Sequence, residues 1–201
     1  MSAGASRPVL LVHGIWDTGS ELAALRREIE RRGRLVETID LVPNDGRAPI
    51  GELARQLGGR VEALRRESGH GRIDLVGFSM GALVSRTYIQ REGGRETVRR
   101  FVSISGPHAG TLGAQVLPLE GVRDMRPGSA LLRDLASDAE PWGDVEVHVL
   151  YTPFDLMILP PRSSELRGAR TTTRIPVLLH RLMIVSPRAT GAVADRLGEA
   201  G

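Results

Sequence analysis

The sequence predicts a three-layer α/β sandwich built on a six-stranded parallel sheet, and three observations carry that prediction. The strand-like segments are apolar throughout, as strands covered on both faces are. The helix-like segments between them carry one apolar stripe each. The two kinds of segment alternate along the chain with no internal repeat and no low-complexity linker. Right-handed crossovers between parallel strands then place helices on both faces of the sheet. A chain of 201 residues can bury one sizeable core and is short for two. One domain over residues 1–201, with no separate cap domain, is therefore expected.

The elements follow in order. Residues 8–12 form a continuous apolar run that His13-Gly14 ends. Residues 21–32 read as a helix with Leu22, Leu25 and Ile29 on one face, and residues 35–42 as a strand. The clearest helix is 50–67, where Ile50, Leu53, Ala54, Leu57, Val61 and Leu64 fall on one stripe at helical spacing. A strand at 73–78 leads into a helix at 81–90. A strand at 98–105 and a short helix at 129–136, capped by Ser129, come next. Strands at 145–152 and 172–178 and a helix at 189–197 complete the pattern.

Composition excludes several classes of function. Aromatic residues make up only 3%, so the core must be built from Leu, Val, Ile and Ala. All 27 basic residues are arginine, which lifts the pI to about 10.4 although the net charge is only +3. The arginine pairs (Arg26-Arg27, Arg31-Arg32, Arg65-Arg66, Arg99-Arg100) are mostly interleaved with glutamate on predicted helices, the pattern of a solvated face. With no basic motif and no stacking aromatics, a nucleic-acid partner is not expected. The chain has no cysteine and so no disulfide or thiolate chemistry, and no metal or other cofactor is expected. The apolar run near the N-terminus is too short for export or for a stable insertion into a membrane. As given, the chain reads as cytoplasmic; a processed mature form of a secreted protein would read the same. The oligomeric state is left open, with a monomer as the default.

Chemistry enters at residues 76–81, VGFSMG. Gly77-Phe78-Ser79-Met80-Gly81 matches G-x-S-x-G between a predicted strand and a predicted helix, the context that a nucleophile elbow needs. Glycines on both sides let strand and helix pass closely, and the helix N-terminus faces the reacting centre. The plain alternative is a turn serine that caps the helix. A second feature favours the elbow. In LLVHGIWDTG, residues 10–19, the loop after the first strand can offer a backbone N–H to an oxyanion. Ile15 is the expected donor from that loop and Met80 the donor after the nucleophile. His13 reads as a structural ring that pins the loop, and Asp17 as its brace.

A serine hydroxyl needs a base, and the base needs an orienting carboxylate. Ligands in open parallel sheets bind beyond the carboxyl ends of the strands. That rule removes His70, which precedes a strand, and His148, which sits inside one. His108 and His180 remain. The order Ser, acid, His known for this elbow favours His180, with His108 in reserve. For the acid, Asp155 follows the fifth strand and lies between Ser79 and His180, with Glu165 as the fallback. Asp124, Asp134 and Asp138 fall in or near a surface helix.

The segments LLVHGIWDTG (10–19), LVGFSMGALVSRTYI (75–89), VRRFVSISGPHAGT (98–111), YTPFDLMI (151–158) and LLHRLMIVSP (178–187) together resemble the lipase class 2 group of α/β-hydrolases, in particular small bacterial lipases with little or no lid. The resemblance runs from about residue 8 to 198. It implies a minimal α/β-hydrolase, whose sheet lacks the first two strands and has the order 4-3-5-6-7-8. It implies ester hydrolysis without a cofactor, with Ser79, Asp155 and His180 as triad and Ile15 and Met80 as oxyanion donors. It gives His108 no catalytic role. The chain departs from the group in two respects: it shows no export signal, and Ala109 stands where the group has a second histidine.

The expected activity is therefore that of a serine carboxylic-ester hydrolase acting on a small acyl ester or lipid. A thioesterase or acyltransferase using the same triad is the alternative. A catalytically silent binding module is a remote third, since a fold does not by itself imply a function. Trp16, His108, Leu112, Leu156, Met157 and Ile158 are expected to line the substrate groove. The apolar segment 106–128 could form one wall of that groove or simply pack on the core.

Overall fold

The computed structural model describes residues 6–198. Six strands form one sheet: β1 (Val9–Val12), β2 (Val36–Ile39), β3 (Ile73–Phe78), β4 (Val98–Ile104), β5 (Glu146–Tyr151) and β6 (Thr171–Arg174). Their spatial order is β2-β1-β3-β4-β5-β6, and every pairing is parallel. This is the expected 4-3-5-6-7-8 order of a minimal α/β-hydrolase.

Helices cover both faces. On one side lie α2 (Ile50–Ser68) and α3 (Met80–Arg91), and they pack over Leu10, Val12, Leu75, Phe101 and Val147. On the other side α1 (Ala23–Arg31) and α8 (Pro187–Leu197) pack over Val9, Leu11, Val76, Val102 and Leu150. Alternate residues of one strand thus feed two separate cores, which is why β1 and β3 read as continuous apolar runs. The long stripe expected on α2 is buried at all six positions.

Shorter helices that the sequence did not announce are α4 (Gly94–Thr97), α5 (Glu120–Asp124) and α7 (Leu182–Val185); α6 (Ala130–Ser137) is the expected one. Ser129 caps α6, accepting a hydrogen bond from the Leu132 N–H, and Ser186 caps α8 through the Ala189 N–H. Two boundaries differ in an instructive way. The 172–178 strand is observed as Thr171–Arg174, because Pro176 cannot donate to a ladder. The 35–42 strand stops at Ile39, and the Leu41 N–H turns to the ring of His13 instead. No helix among the described residues is long and apolar enough to cross a membrane.

Candidate active site

The carboxyl ends of β1, β3, β4, β5 and β6 share one edge of the sheet, and the loops beyond them converge there. Between β3 and α3 stands Ser79, with φ 55° and ψ −123°. A positive φ is costly for a residue with a side chain and persists only where its surroundings enforce it. Here the neighbours enforce it. A Cβ on Gly77 would lie 2.6 Å from the Ala82 Cα, and one on Gly81 would lie 2.3 Å from the His13 carbonyl oxygen. Only glycine lets strand and helix pass this closely. The Ser79 N–H is held by the Ile104 carbonyl at 2.9 Å, which ties the turn to the neighbouring strand.

The loop after β1 lies directly beside this turn. A Cβ on Gly14 would be 3.2 Å from the Ser79 Cβ. His13 is buried and fixes the loop: its Nδ1 pairs with the Gly14 carbonyl at 2.8 Å and its Nε2 with the Leu41 N–H at 3.0 Å. Because Nε2 accepts, Nδ1 donates, and the ring is neutral and structural. The Trp16 N–H goes to the Asn44 carbonyl and the Asp17 N–H to the Gly14 carbonyl. Among the described residues, the N–H groups of Ile15 and Met80 take part in none of the turn and loop hydrogen bonds. Asp17 braces the loop through its carbonyl, which accepts from Asn44, and through an ion pair with Arg181 at 3.3 Å.

On the far side of Ser79, His180 Nδ1 lies 2.7 Å from Asp155 Oδ2. The second carboxylate oxygen accepts from the N–H groups of Met157 (2.9 Å) and Ile158 (3.0 Å). Burial alone would raise the pKa of Asp155. The hydrogen bond and charge of His180, together with these two N–H groups, outweigh it and hold the carboxyl below its ordinary value. His180 packs on Phe78 with ring centroids 4.7 Å apart. Its Nε2 is buried and has no protein partner. The next residue, Arg181, pairs with Asp17 and Glu21 and so ties the His180 loop to the loop after β1.

Two cavities flank Ser79 and share Ile15, Trp16, Leu156 and Met157 as walls. One, of about 140 Å³, is closed by Thr111, Ala114, Leu117, Val122, Met125 and Ile158. The other, of about 420 Å³, is lined by Phe78, Leu178, Leu179, His180 and Arg181. Thr111 holds the first together. Its hydroxyl donates to the Met157 carbonyl at 2.8 Å and accepts from the Leu159 N–H at 3.0 Å.

Two expected groove residues lie elsewhere. His108 faces away from Ser79, because its Nε2 shares a hydrogen bond with Ser103 at 2.7 Å and its carbonyl is held by Arg86. It lines a separate cavity. Leu112 starts a 3₁₀ turn (Leu112–Gln115) and points to solvent, so it lines neither groove cavity. Glu165, the fallback acid, accepts from the Tyr151 hydroxyl and lies near Arg162 and Arg174. Sequence reasoning missed Leu178 and Leu179. The strand expected at 172–178 takes in Leu178 and ends just before Leu179, and Pro176 is the signal that this stretch is instead a loop at the active edge.

A family model of palmitoyl protein thioesterases matches residues 8–154. The chain belongs to the palmitoyl protein thioesterase family. The matched span of this thioesterase-family chain includes Ile15, Ser79 and Met80; Asp155 follows its last residue and His180 lies well beyond it. No curated protein matches the chain. Its fold recurs in solved lipases at low identity. The mature form of the Bacillus licheniformis lipase BlEst2 is 15% identical with a TM-score of 0.77, over 96% of this chain and 90% of that one. The Paleococcus ferrophilus monoacylglycerol lipase is 17% identical with a TM-score of 0.72, over 94% and 92%. Aspergillus fumigatus lipase B is 16% identical with a TM-score of 0.80; 98% of this chain covers 53% of that one, about half its length. These likenesses show that the chain has the α/β-hydrolase fold. They do not single out the lipase class 2 group within it.

Proposed function

We propose that the chain is a serine hydrolase that cleaves acyl esters through an acyl-enzyme. The observation that carries this reading is the seating of His180 between Asp155 and the cavity it shares with Ser79. Ser79 Oγ attacks the acyl carbonyl while His180 Nε2 takes its proton. The oxyanion forms against the N–H groups of Ile15 and Met80. His180 then returns the proton to the leaving oxygen, the bond to the alcohol breaks, and water repeats the sequence to release the acid. Asp155 keeps the proton on Nδ1 and balances the imidazolium.

The two cavities suggest which part of the substrate goes where. The leaving group must collect its proton from His180, so it occupies the larger cavity beside that ring. The acyl chain then lies in the narrower cavity, whose walls of Ala114, Leu117, Val122 and Met125 suit a hydrocarbon chain. The lipase class 2 resemblance is compatible with this arrangement.

Family membership favours a second reading, hydrolysis of acyl thioesters by the same residues. The chemistry differs only in the leaving atom, so matched oxygen esters and thioesters of one acyl chain, compared by kcat/KM, decide between them. A fluorophosphonate probe tests both readings at once. It should label Ser79 in the folded protein and leave Ser79→Ala untouched; a folded protein that resists the probe would favour a silent binding module.

A further inference from the structure

Apart from the two cavities beside Ser79 lies a third, of about 250 Å³, that the proposed reaction does not use. Its wall includes Arg86, seven residues from the elbow on α3 and only 6% exposed. The guanidinium Nε donates to Gln90 Oε1 at 2.7 Å and Nη1 to the His108 carbonyl at 2.9 Å. Among the described residues its Nη2 has no partner, and no carboxylate pairs with Arg86. Burial lowers its pKa to about 10, which leaves it charged at neutral pH.

The two carboxylates at the cavity are engaged elsewhere. Asp138 is bound by Arg91 at 2.9 Å and by Arg95, and its other oxygen accepts from the Glu140 N–H. Glu165 takes the Tyr151 hydroxyl at 2.7 Å and lies near Arg162 and Arg174. Arg167, which is exposed, donates to the Asp138 carbonyl. The buried ring of His108 lies in the same wall, and its Nδ1 has no protein partner. Its Nε2 shares a hydrogen bond with Ser103 at 2.7 Å, which fixes the ring in the cavity wall. Leu135, Trp142 and Leu166 supply an apolar wall. A buried cation with a spare donor and an apolar wall form a built site for an anion with a hydrocarbon body.

We propose that this cavity is a second ligand site, which binds a small monocarboxylate with its charged end on Arg86 and its apolar body against Trp142. The chain has two tryptophans, Trp16 in the groove and Trp142 in this cavity, so the site can be read optically. In a Trp16→Phe background, cyclohexanecarboxylate is titrated against the neutral cyclohexanecarboxamide and the emission of Trp142 is followed. The carboxylate should give a saturable change, and the amide should bind about tenfold or more weakly. Arg86→Gln should abolish the preference. Ala136→Phe, at an exposed position on the cavity wall, should weaken the carboxylate and keeps the test open if Arg86→Gln does not fold. The proposal is overturned by equal binding of acid and amide, or by a carboxylate response that survives these changes. No response up to about 10 mM, enough to saturate any site tighter than about 1 mM, overturns it as well.

Discussion

Asp155 grips His180 with one carboxylate oxygen and is itself gripped through the other. Oδ2 meets His180 Nδ1 at 2.7 Å, while Oδ1 accepts from Met157 and Ile158, two residues of the groove wall. The same carboxylate therefore orients the base and shapes the substrate cavity. Asp155→Asn keeps the size of the side chain but sets an amide or its oxygen against Nδ1, which favours the wrong tautomer. Turnover should fall by about 10⁴-fold, as for the comparable change in a serine protease triad. Glu165→Gln, at a residue bound to Tyr151, should be mild. The two kcat values, measured on variants with unchanged thermal melts, check the assignment.

The glycines of the elbow should differ sharply from those of α2. A Cβ on Gly81 meets backbone oxygen at 2.3 Å and 2.5 Å, which no side-chain shift can relieve. Gly81→Ala should cost about 3 kcal/mol or prevent folding, as overpacked sites do. Gly59 is exposed on α2 with nothing within 4 Å of an added Cβ. Gly59→Ala should stabilise by about 0.5–1 kcal/mol through helix propensity. Urea unfolding of both variants measures the contrast.

At the opposite edge of the sheet, Arg34 and Asp74 form a buried ion pair at 2.5 Å. Arg34 also donates to the carbonyls of Arg7 and Leu197 and so joins both ends of the described chain to β3. Arg34→Met leaves the Asp74 carboxylate buried, with Arg100 4.0 Å away as its remaining cation. The loss should be about 3–5 kcal/mol by denaturant unfolding, with kcat of the surviving folded fraction little changed.

How much of this was legible in the sequence depends on whether the cause was local. The parallel sheet could be read because both faces of β1 and β3 are buried, which leaves an unbroken apolar signature. The elbow could be read because Gly77 and Gly81 answer to contacts within one turn and one neighbouring strand. His108 could not be placed. It sits at the correct edge in sequence, but Ser103 and Arg86, which turn it away from Ser79, belong to no recognisable spacing. The helix α7, LMIV, lacked a polar face and was too short to show a period. Arg181 was invisible for another reason: its partners Asp17 and Glu21 lie some 160 residues earlier in the chain.

The burial of His108 gives stability a pH dependence. Its imidazole is held well below 6.5, first by burial and then by Arg86. Between its folded pKa and 6.5 the unfolded chain therefore binds more protons, and stability rises with pH. The contribution is complete above about pH 6.5 and is lost as the pH falls below it. His148 is shifted in the same direction. His108→Gln should remain less stable than the parent at neutral pH but lose less stability between about pH 6.5 and 5. Urea midpoints across that range, for parent and variant, test the slope; parallel curves would show that His108 titrates normally.

The groove itself makes the last prediction, which concerns kinetics at a lipid surface. A lid must leave its closed position, so it should be held by few contacts. The segment 106–128 is held by many. Asp124 caps α2 at the Ile50 N–H, Arg126 donates to the carbonyls of Ala114 and Leu117, and the Thr111 N–H reaches the Met125 carbonyl. Val122 and Met125 are buried in the core beneath it. Ser79 meanwhile remains partly exposed between two open cavities. Substrate should therefore reach Ser79 from solution without an opening step. Dissolved medium-chain esters should give hyperbolic saturation, and the rate should rise without a break when the ester exceeds its solubility limit. Trp16, Leu156, Met157, Leu178 and Leu179 are exposed around the mouth and would adsorb to an emulsion, which lowers the apparent KM there but leaves kcat unchanged. An abrupt increase in kcat at the emulsion point would mean that 106–128 moves as a lid despite these contacts.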